Sequence, residues 1–107
     1  MKAGREAMHT CIDRLISSEN LKAEVVKQEA VFLQETLENL RLNGAISNDA
    51  YLDAGSIEGG LNVLANLIEL GVSASEVQDL LRQLHERAGR IDEAHPSLGP
   101  AVAASRQ

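Results

Sequence analysis

Aromatic side chains are nearly absent from this chain: Phe32 and Tyr51 are the only two, and there is no tryptophan. Single-stranded nucleic acids are bound by stacking their bases on aromatic rings, and the sequence offers no such platform. A core of 107 residues must therefore be built from Leu, Ile, Val and Ala. This length is that of one domain, at a size where association with a second chain often adds the missing burial.

Cysteine is represented only by Cys11, so no disulfide can form within the chain. A single cysteine is typical of a reducing compartment, and we expect a cytoplasmic protein. No apolar run approaches the roughly 20 residues that a membrane-spanning helix needs. The first residues, Met1–Glu6, lack the apolar segment of a signal peptide. We therefore expect no contact with a membrane.

Basic residues are scarce, since ten Lys and Arg are set against sixteen Asp and Glu, for a formal net charge of −6. Binding to a phosphate backbone requires clustered Lys and Arg, so we expect no direct nucleic-acid partner. Residues 45–81 contain acids but no Lys or Arg at all. This acidic stretch is either a solvated helix face or a docking surface for a basic partner.

Two short turns divide most of the chain into helical segments. Gly44 and Gly71 suit the left-handed position that ends a helix, and Ser47 and Ser73 follow where a serine caps the next one. The turns predict one helix that ends near residue 43 and two more over 48–70 and 74–94. Pro96 stops the last of these.

The segment before the first turn is open to two interpretations. Apolar residues between Arg5 and Asn43 follow a heptad pattern, but Glu19 interrupts it within the polar run Ser17–Asn20. Either a short helix from about Arg5 to Ser17 precedes a separate helix from Leu21, or the segment is one continuous rod. We favour the break.

These elements predict an all-α fold of three to four antiparallel helices, arranged as a helical hairpin or bundle. We expect residues 1–95 to form a single helical domain. Residues 96–107 are small, polar and interrupted by Pro and Gly, so we expect a flexible C-terminal tail.

Glycines are concentrated in the middle of the helix predicted over 48–70. Gly55 and Gly59 lie one turn apart, as do Ser56 and Gly60, which makes one side of the helix nearly flat. Each glycine costs roughly 1 kcal/mol relative to alanine, so a gain elsewhere is expected. Either another helix approaches this side closely, or the helix bends at residues 58–60.

The chain also carries more apolar surface than one hairpin can bury. Two additional stripes and an acidic rim residue form the candidate protein interface: Leu21, Val25, Phe32, Val63, Leu67, Leu70 and Glu69. Folding the chain about Ala45 predicts that the two stripes meet at the end of the hairpin far from that turn. The first segment could cover this patch, or the patch could join two chains in a homodimer or receive another protein's helix.

The histidines raise the possibility of a metal site. Glu6 with His9 and Asp92 with His95 have the acid-x-x-His spacing of di-iron carboxylate bundles. Those sites need further carboxylates in the core, whereas both pairs lie near helix ends. We expect no metal and no cofactor.

Catalytic motifs are equally incomplete. His85 begins a pattern like that of zinc proteases, but Gly89 occupies the position of the second histidine. Cys11 and His9 lie two residues apart, on different sides of a helix. We therefore expect a protein that is not an enzyme, with a helical metal-binding enzyme as the less favoured alternative.

The hairpin segment Glu38–Ser47, together with the acidic balance, the size and the surplus apolar surface, resembles the small helical antiactivators of bacterial quorum sensing, of the QslA type. The resemblance implies a helical, often dimeric protein that binds a LuxR-type transcription activator and inhibits it. An immunity or antitoxin-type inhibitor would share every one of these features and differ only in its partner.

Overall fold

The computed structural model describes residues 7–18 and 20–106, which form five helices and no strand. The helices are α1 (Met8–Ile16), α2 (Ala23–Leu42), α3 (Asn48–Glu69), α4 (Ala74–Ala94) and α5 (Leu98–Ala104). α2 packs against α3, α3 against α4, and α4 against α1, while α5 contacts both α1 and α2. The predicted all-α helical bundle is confirmed.

Both glycine turns are built as the sequence predicts. Gly44 and Gly71 have φ angles of 80° and 87°, in the left-handed region that a side chain disfavours. The hydroxyl of Ser47 accepts a hydrogen bond from the backbone N–H of Ala50 at 3.0 Å, and that of Ser73 accepts one from Glu76 at 3.2 Å. These local bonds set the starts of α3 and α4.

The segment before the first turn is broken into two helices, as we expected, and the alternative of one continuous helix is wrong. α1 ends at Ile16 and α2 begins at Ala23. The hydroxyl of Ser17 donates to the carbonyl of Arg14 at 3.1 Å, which is the local competition with helix hydrogen bonds that short polar side chains provide. Arg5 and Glu19 lie outside the described residues. The break allows α1 to fold back onto α4.

The C-terminal residues differ from the flexible tail that we expected over 96–107. Leu98 and Val102 are almost fully buried, one turn apart on α5. Gly99 lies so close to the chain before α1 that a Cβ there would stand 2.8 Å from the carbonyl carbon of Ala7. An apolar pair at i and i+4 fills the space between α1 and α2, so residues 98–104 belong to the packed domain.

The core is aliphatic, as the shortage of aromatic residues requires. Its largest fully buried side chains come from all five helices: Met8, Ile12, Val26, Leu33, Leu37, Ile57, Leu61, Leu64, Leu81, Leu98 and Val102. α3 contacts α4 at Gly60, where a Cβ would overlap the side chain of Leu84.

Candidate functional site

α3 presents apolar residues on the side that faces away from the core. Leu52, Val63 and Leu70 are 67%, 56% and 80% exposed. Together with Gly59 they are spaced by seven, four and seven residues, which keeps all four on one side of a helix. We call these four residues the outer face of α3. An apolar face left uncovered on a small domain is the usual mark of an interaction surface.

The glycines of α3 divide into two groups. Gly60 accommodates Leu84 of α4, so its missing side chain serves packing within the bundle. A Cβ added at Gly55 or Gly59 would have no neighbour within 4 Å among the described residues. α3 nevertheless runs as one helix from Asn48 to Glu69, and residues 58–60 lie within it. Gly59 thus leaves a shallow opening in the outer face of α3, and Gly55 lies one turn before it, in a groove with Gln34 and Leu37 of α2.

The seven predicted interface residues lie in several places rather than in one patch. Val25, 44% exposed, and Phe32 line a groove between α2 and the end of α5. The guanidinium of Arg106 covers Phe32, 4.0 Å from the ring centroid. Leu21 lies in a different groove with Ile68 and Val72, at the turn between α3 and α4.

The α3 members of the predicted set stay near one another. Val63 borders a groove with Leu80 and Arg87 of α4. Leu67 is partly buried, Leu70 is exposed, and the carboxylate of Glu69 accepts a hydrogen bond from Nζ of Lys27 at 2.8 Å.

The side of α2 that faces α3 explains why the two stripes separate. Lys27 reaches across to Glu69, so this side of α2 is turned toward α3. Residues two apart do not share a helix face, so Val25 points away from α3 and toward α5. The expectation that the two stripes meet is therefore wrong for Val25, which lies beside the end of α5. Leu52 was missed, although its spacing from Val63 and Leu70 is visible in the sequence.

Several acids of the 45–81 stretch have partners within the chain. Asp53 lies 2.8 Å from Nε2 of His95, Glu69 pairs with Lys27, and Asp79 pairs with Arg82. All three carboxylates are more than half exposed. Exposed pairs of this kind add little stability. They do occupy carboxylates that a basic partner would otherwise use, which favours the interpretation as a solvated face.

In the folded structure, the histidines have different carboxylate partners from those that their spacing in the sequence suggests. Asp92 has acid-x-x-His spacing with His95, but its carboxylate accepts backbone hydrogen bonds from Met8 and His9. His9 and His85 instead flank the carboxylate of Asp13, at 3.3 and 2.8 Å. Glu6 lies outside the described residues. Only the tertiary fold brings His85 to the His9–Asp13 pair on α1.

Cys11 is buried. Burial, and then the nearby carboxylate of Glu29, raise the pKa of the Cys11 thiol to about 11. Arg106 lies between the two groups, donating to Sγ of Cys11 at 3.1 Å and to the carboxylate of Glu29. A thiol held in its protonated form is a poor nucleophile, so this cluster is a packing arrangement that joins α5 to α1 and α2.

No protein-family model, curated protein or solved structure matches this chain. The resemblance to quorum-sensing antiactivators stays a prediction. Among the described helices, none is both long and apolar enough to cross a membrane.

Proposed function

We propose that this protein is a non-enzymatic helical interaction module that binds and inhibits or modulates another protein. The observation that carries the proposal is the outer face of α3, where exposed Leu52, Val63 and Leu70 are aligned with Gly59. A Cβ added at Gly55 or Gly59 would meet no atom within 4 Å among residues 7–18 and 20–106.

A helix is the partner structure that fits this surface best. Without a Cβ at Gly55 and Gly59, the backbone of a second helix can approach α3 more closely than ordinary side chains allow. Leu52, Val63 and Leu70 would then pack on either side of the contact. Full burial of such side chains contributes about 1.5–3 kcal/mol each, which suffices for binding once the cost of association is met.

The set of interface residues proposed from the sequence is accordingly revised. Val63, Leu67 and Leu70 stay in it, with Glu69 at its rim, and Leu52 and Gly59 are added. Leu21, Val25 and Phe32 contribute to other grooves of the molecule.

Two occupants of this surface are proposed for direct testing. A second copy of the chain would give the homodimer, with the α3 helices facing each other. A LuxR-type transcription activator is the partner implied by the resemblance of the Glu38–Ser47 hairpin. Both place an apolar helix on the same residues of α3.

The experiment measures association of the full chain by size-exclusion chromatography with light scattering, alone and after co-expression with a LuxR-type activator. Val63→Glu and Leu70→Glu should weaken the association at least about 10-fold, because each buries a charge in an apolar contact. Circular dichroism should stay at the wild-type level, since both residues are more than half exposed in the free chain.

Val25→Glu is the matched control, because Val25 is similarly exposed but lies beside α5. It should associate as the wild type does. A monomer that binds no activator, or a complex that tolerates glutamate at residues 63 and 70, would refute the proposal.

A further inference from the structure

His9, Asp13 and His85 bring three metal-ligating side chains together outside the outer face of α3. Nδ1 of His9 lies 3.3 Å from one carboxylate oxygen of Asp13, and Nε2 of His85 lies 2.8 Å from the other. One ligand atom from each residue falls within 4.8 Å of the other two. The two imidazole rings are tilted by 46° to each other, with centroids 5.1 Å apart.

The three side chains are held by packed helices. His9 and Asp13 are four residues apart on α1, which places them on one side of that helix. His85 extends from α4, against which α1 packs. The carboxylate of Asp92 accepts hydrogen bonds from the backbone N–H groups of Met8 and His9, and so ties the start of α1 to α4 beside the cluster. Sites on regular elements are held more accurately than sites on loops.

The distances suit a small divalent ion. Zn²⁺ binds imidazole nitrogen and carboxylate oxygen at about 2.0–2.2 Å, which places tetrahedral ligand atoms about 3.3 Å apart. The His9–Asp13 separation already has this value. Small side-chain rotations bring the third ligand into range. All three side chains are partly exposed, which leaves a path for the ion and room for water as a fourth ligand.

The donor set also suits a metal ion, because the two imidazole rings lie 5.1 Å apart and flank the carboxylate of Asp13. As ligands, both imidazoles are neutral and share one cation with the carboxylate. Two nitrogens and one oxygen form a donor set that zinc accepts readily.

We propose that His9, Asp13 and His85 bind one Zn²⁺ ion, which links α1 to α4. The site is separate from the surface proposed for protein binding, so each proposal can fail without the other. Binding to the folded chain alone would lower the unfolding equilibrium constant, about 100-fold at a free Zn²⁺ concentration of about 100 times the dissociation constant.

The test uses the full chain, stripped with a chelator and without a polyhistidine tag. Titration with ZnCl₂ by calorimetry should show one ion per chain. In parallel, carbon-correlated NMR of the imidazole rings should show shifts at His9 and His85. His95 is the internal control, because it forms a similar histidine–aspartate contact with Asp53 but lacks a third ligand in the described structure.

Variants separate the site from general binding to an acidic surface. His9→Gln, Asp13→Asn and His85→Gln should each weaken Zn²⁺ binding at least about 10-fold, the loss typical of changes at or near metal ligands. His95→Gln should bind as the wild type does. Circular dichroism checks that each variant is folded.

Several outcomes would overturn the proposal. They are the absence of saturable binding up to about 1 mM Zn²⁺, equal NMR shifts at all three histidines, or equal loss of binding in His95→Gln. A stoichiometry of one ion per two chains would also overturn it, because the ion would then bridge two molecules rather than α1 and α4.

Discussion

The backbone N–H of Met8 donates a hydrogen bond to the carboxylate of Asp92 at 2.7 Å, across 84 positions of the sequence. Met8 is the first residue of α1, and Ala7 before it has no side-chain acceptor to cap the helix. Asp92 of α4 therefore takes the place of a local N-cap. α1 is held in the bundle at its first turn by a residue of its neighbour, in addition to its buried apolar side.

Removing this carboxylate should loosen α1 selectively. Replacing Asp92 by alanine should lower the free energy of unfolding by about 0.5–2 kcal/mol, the range measured for lost helix caps. Amide hydrogen exchange should accelerate in α1 more than in α2 and α3. Asp92→Asn keeps one acceptor oxygen, so it should lose less stability than Asp92→Ala. Unchanged exchange in α1 would show that apolar packing alone holds it.

Among the glycines within the helices, Gly99 should tolerate substitution by alanine least. A Cβ there would overlap backbone atoms of Ala7 and lie 2.9 Å from the nitrogen of Met8. Backbone yields less readily than a side chain, so Gly99→Ala should destabilise the domain by at least about 1 kcal/mol despite the higher helix propensity of alanine. Urea denaturation measures the change. A gain in stability would mean that α5 does not pack against Ala7.

At Gly55 and Gly59, substitution by alanine should raise the stability rather than lower it. Gly59→Ala and Gly55→Ala should each stabilise the free chain by about 0.5–1 kcal/mol, because the new Cβ meets open space and alanine favours the helix. Gly60→Ala is the comparison, since its Cβ must displace Leu84 and should gain less.

A second substitution at Gly59 distinguishes an effect on binding from an effect on stability. Gly59→Leu should keep the helix but place a bulky side chain on the outer face of α3, and should weaken association with a partner. If Gly59→Leu associated normally, the close approach of a second helix at this point would be excluded.

The raised pKa of Cys11 predicts a pH dependence of stability. In the unfolded chain the thiol ionises near its ordinary value of 9.0, whereas in the folded chain it stays protonated up to about 11. The stabilisation is therefore complete below about pH 9 and is lost as the pH rises through 11. The maximum effect is about 3 kcal/mol.

Cys11→Ala tests this dependence directly. The variant should be less stable than the wild type at about pH 8, because it leaves a cavity. The difference between them should shrink by about pH 10.5, as only the wild type loses the thiol contribution. Parallel stability curves across that range would contradict the assignment of a buried, protonated thiol.

The helix boundaries and turns were largely predictable because their causes are local. Gly44 and Gly71 adopt the positive φ that the sequence position suggests, and each following serine caps its helix within three residues. The break after Ile16 follows from short polar side chains in the same way. Capping and backbone strain act over one helical turn, so a sequence read in short windows contains them.

The arrangement of surface residues was less predictable. Counting residues from the turn at Ala45 correctly places α2 opposite α3, yet it does not give the rotation of α2 about its own axis. That rotation turns Lys27 toward Glu69 and Val25 toward α5. The expected single patch is therefore wrong for Val25 and Phe32, whereas Leu21 does lie beside Ile68 at the end of α3. The outer face of α3 follows from the spacing of Leu52, Val63 and Leu70 alone.

The sequence by itself determined α1 to α4, the turns between α2, α3 and α4, and the aliphatic nature of the core, because these depend on neighbours within a few residues. Only the tertiary structure decided that α5 fills the gap between α1 and α2, that Asp92 caps α1, and that His85 joins His9 and Asp13. These contacts join residues that lie far apart in the sequence. Their formation depends on how all five helices share one core, which no local pattern specifies.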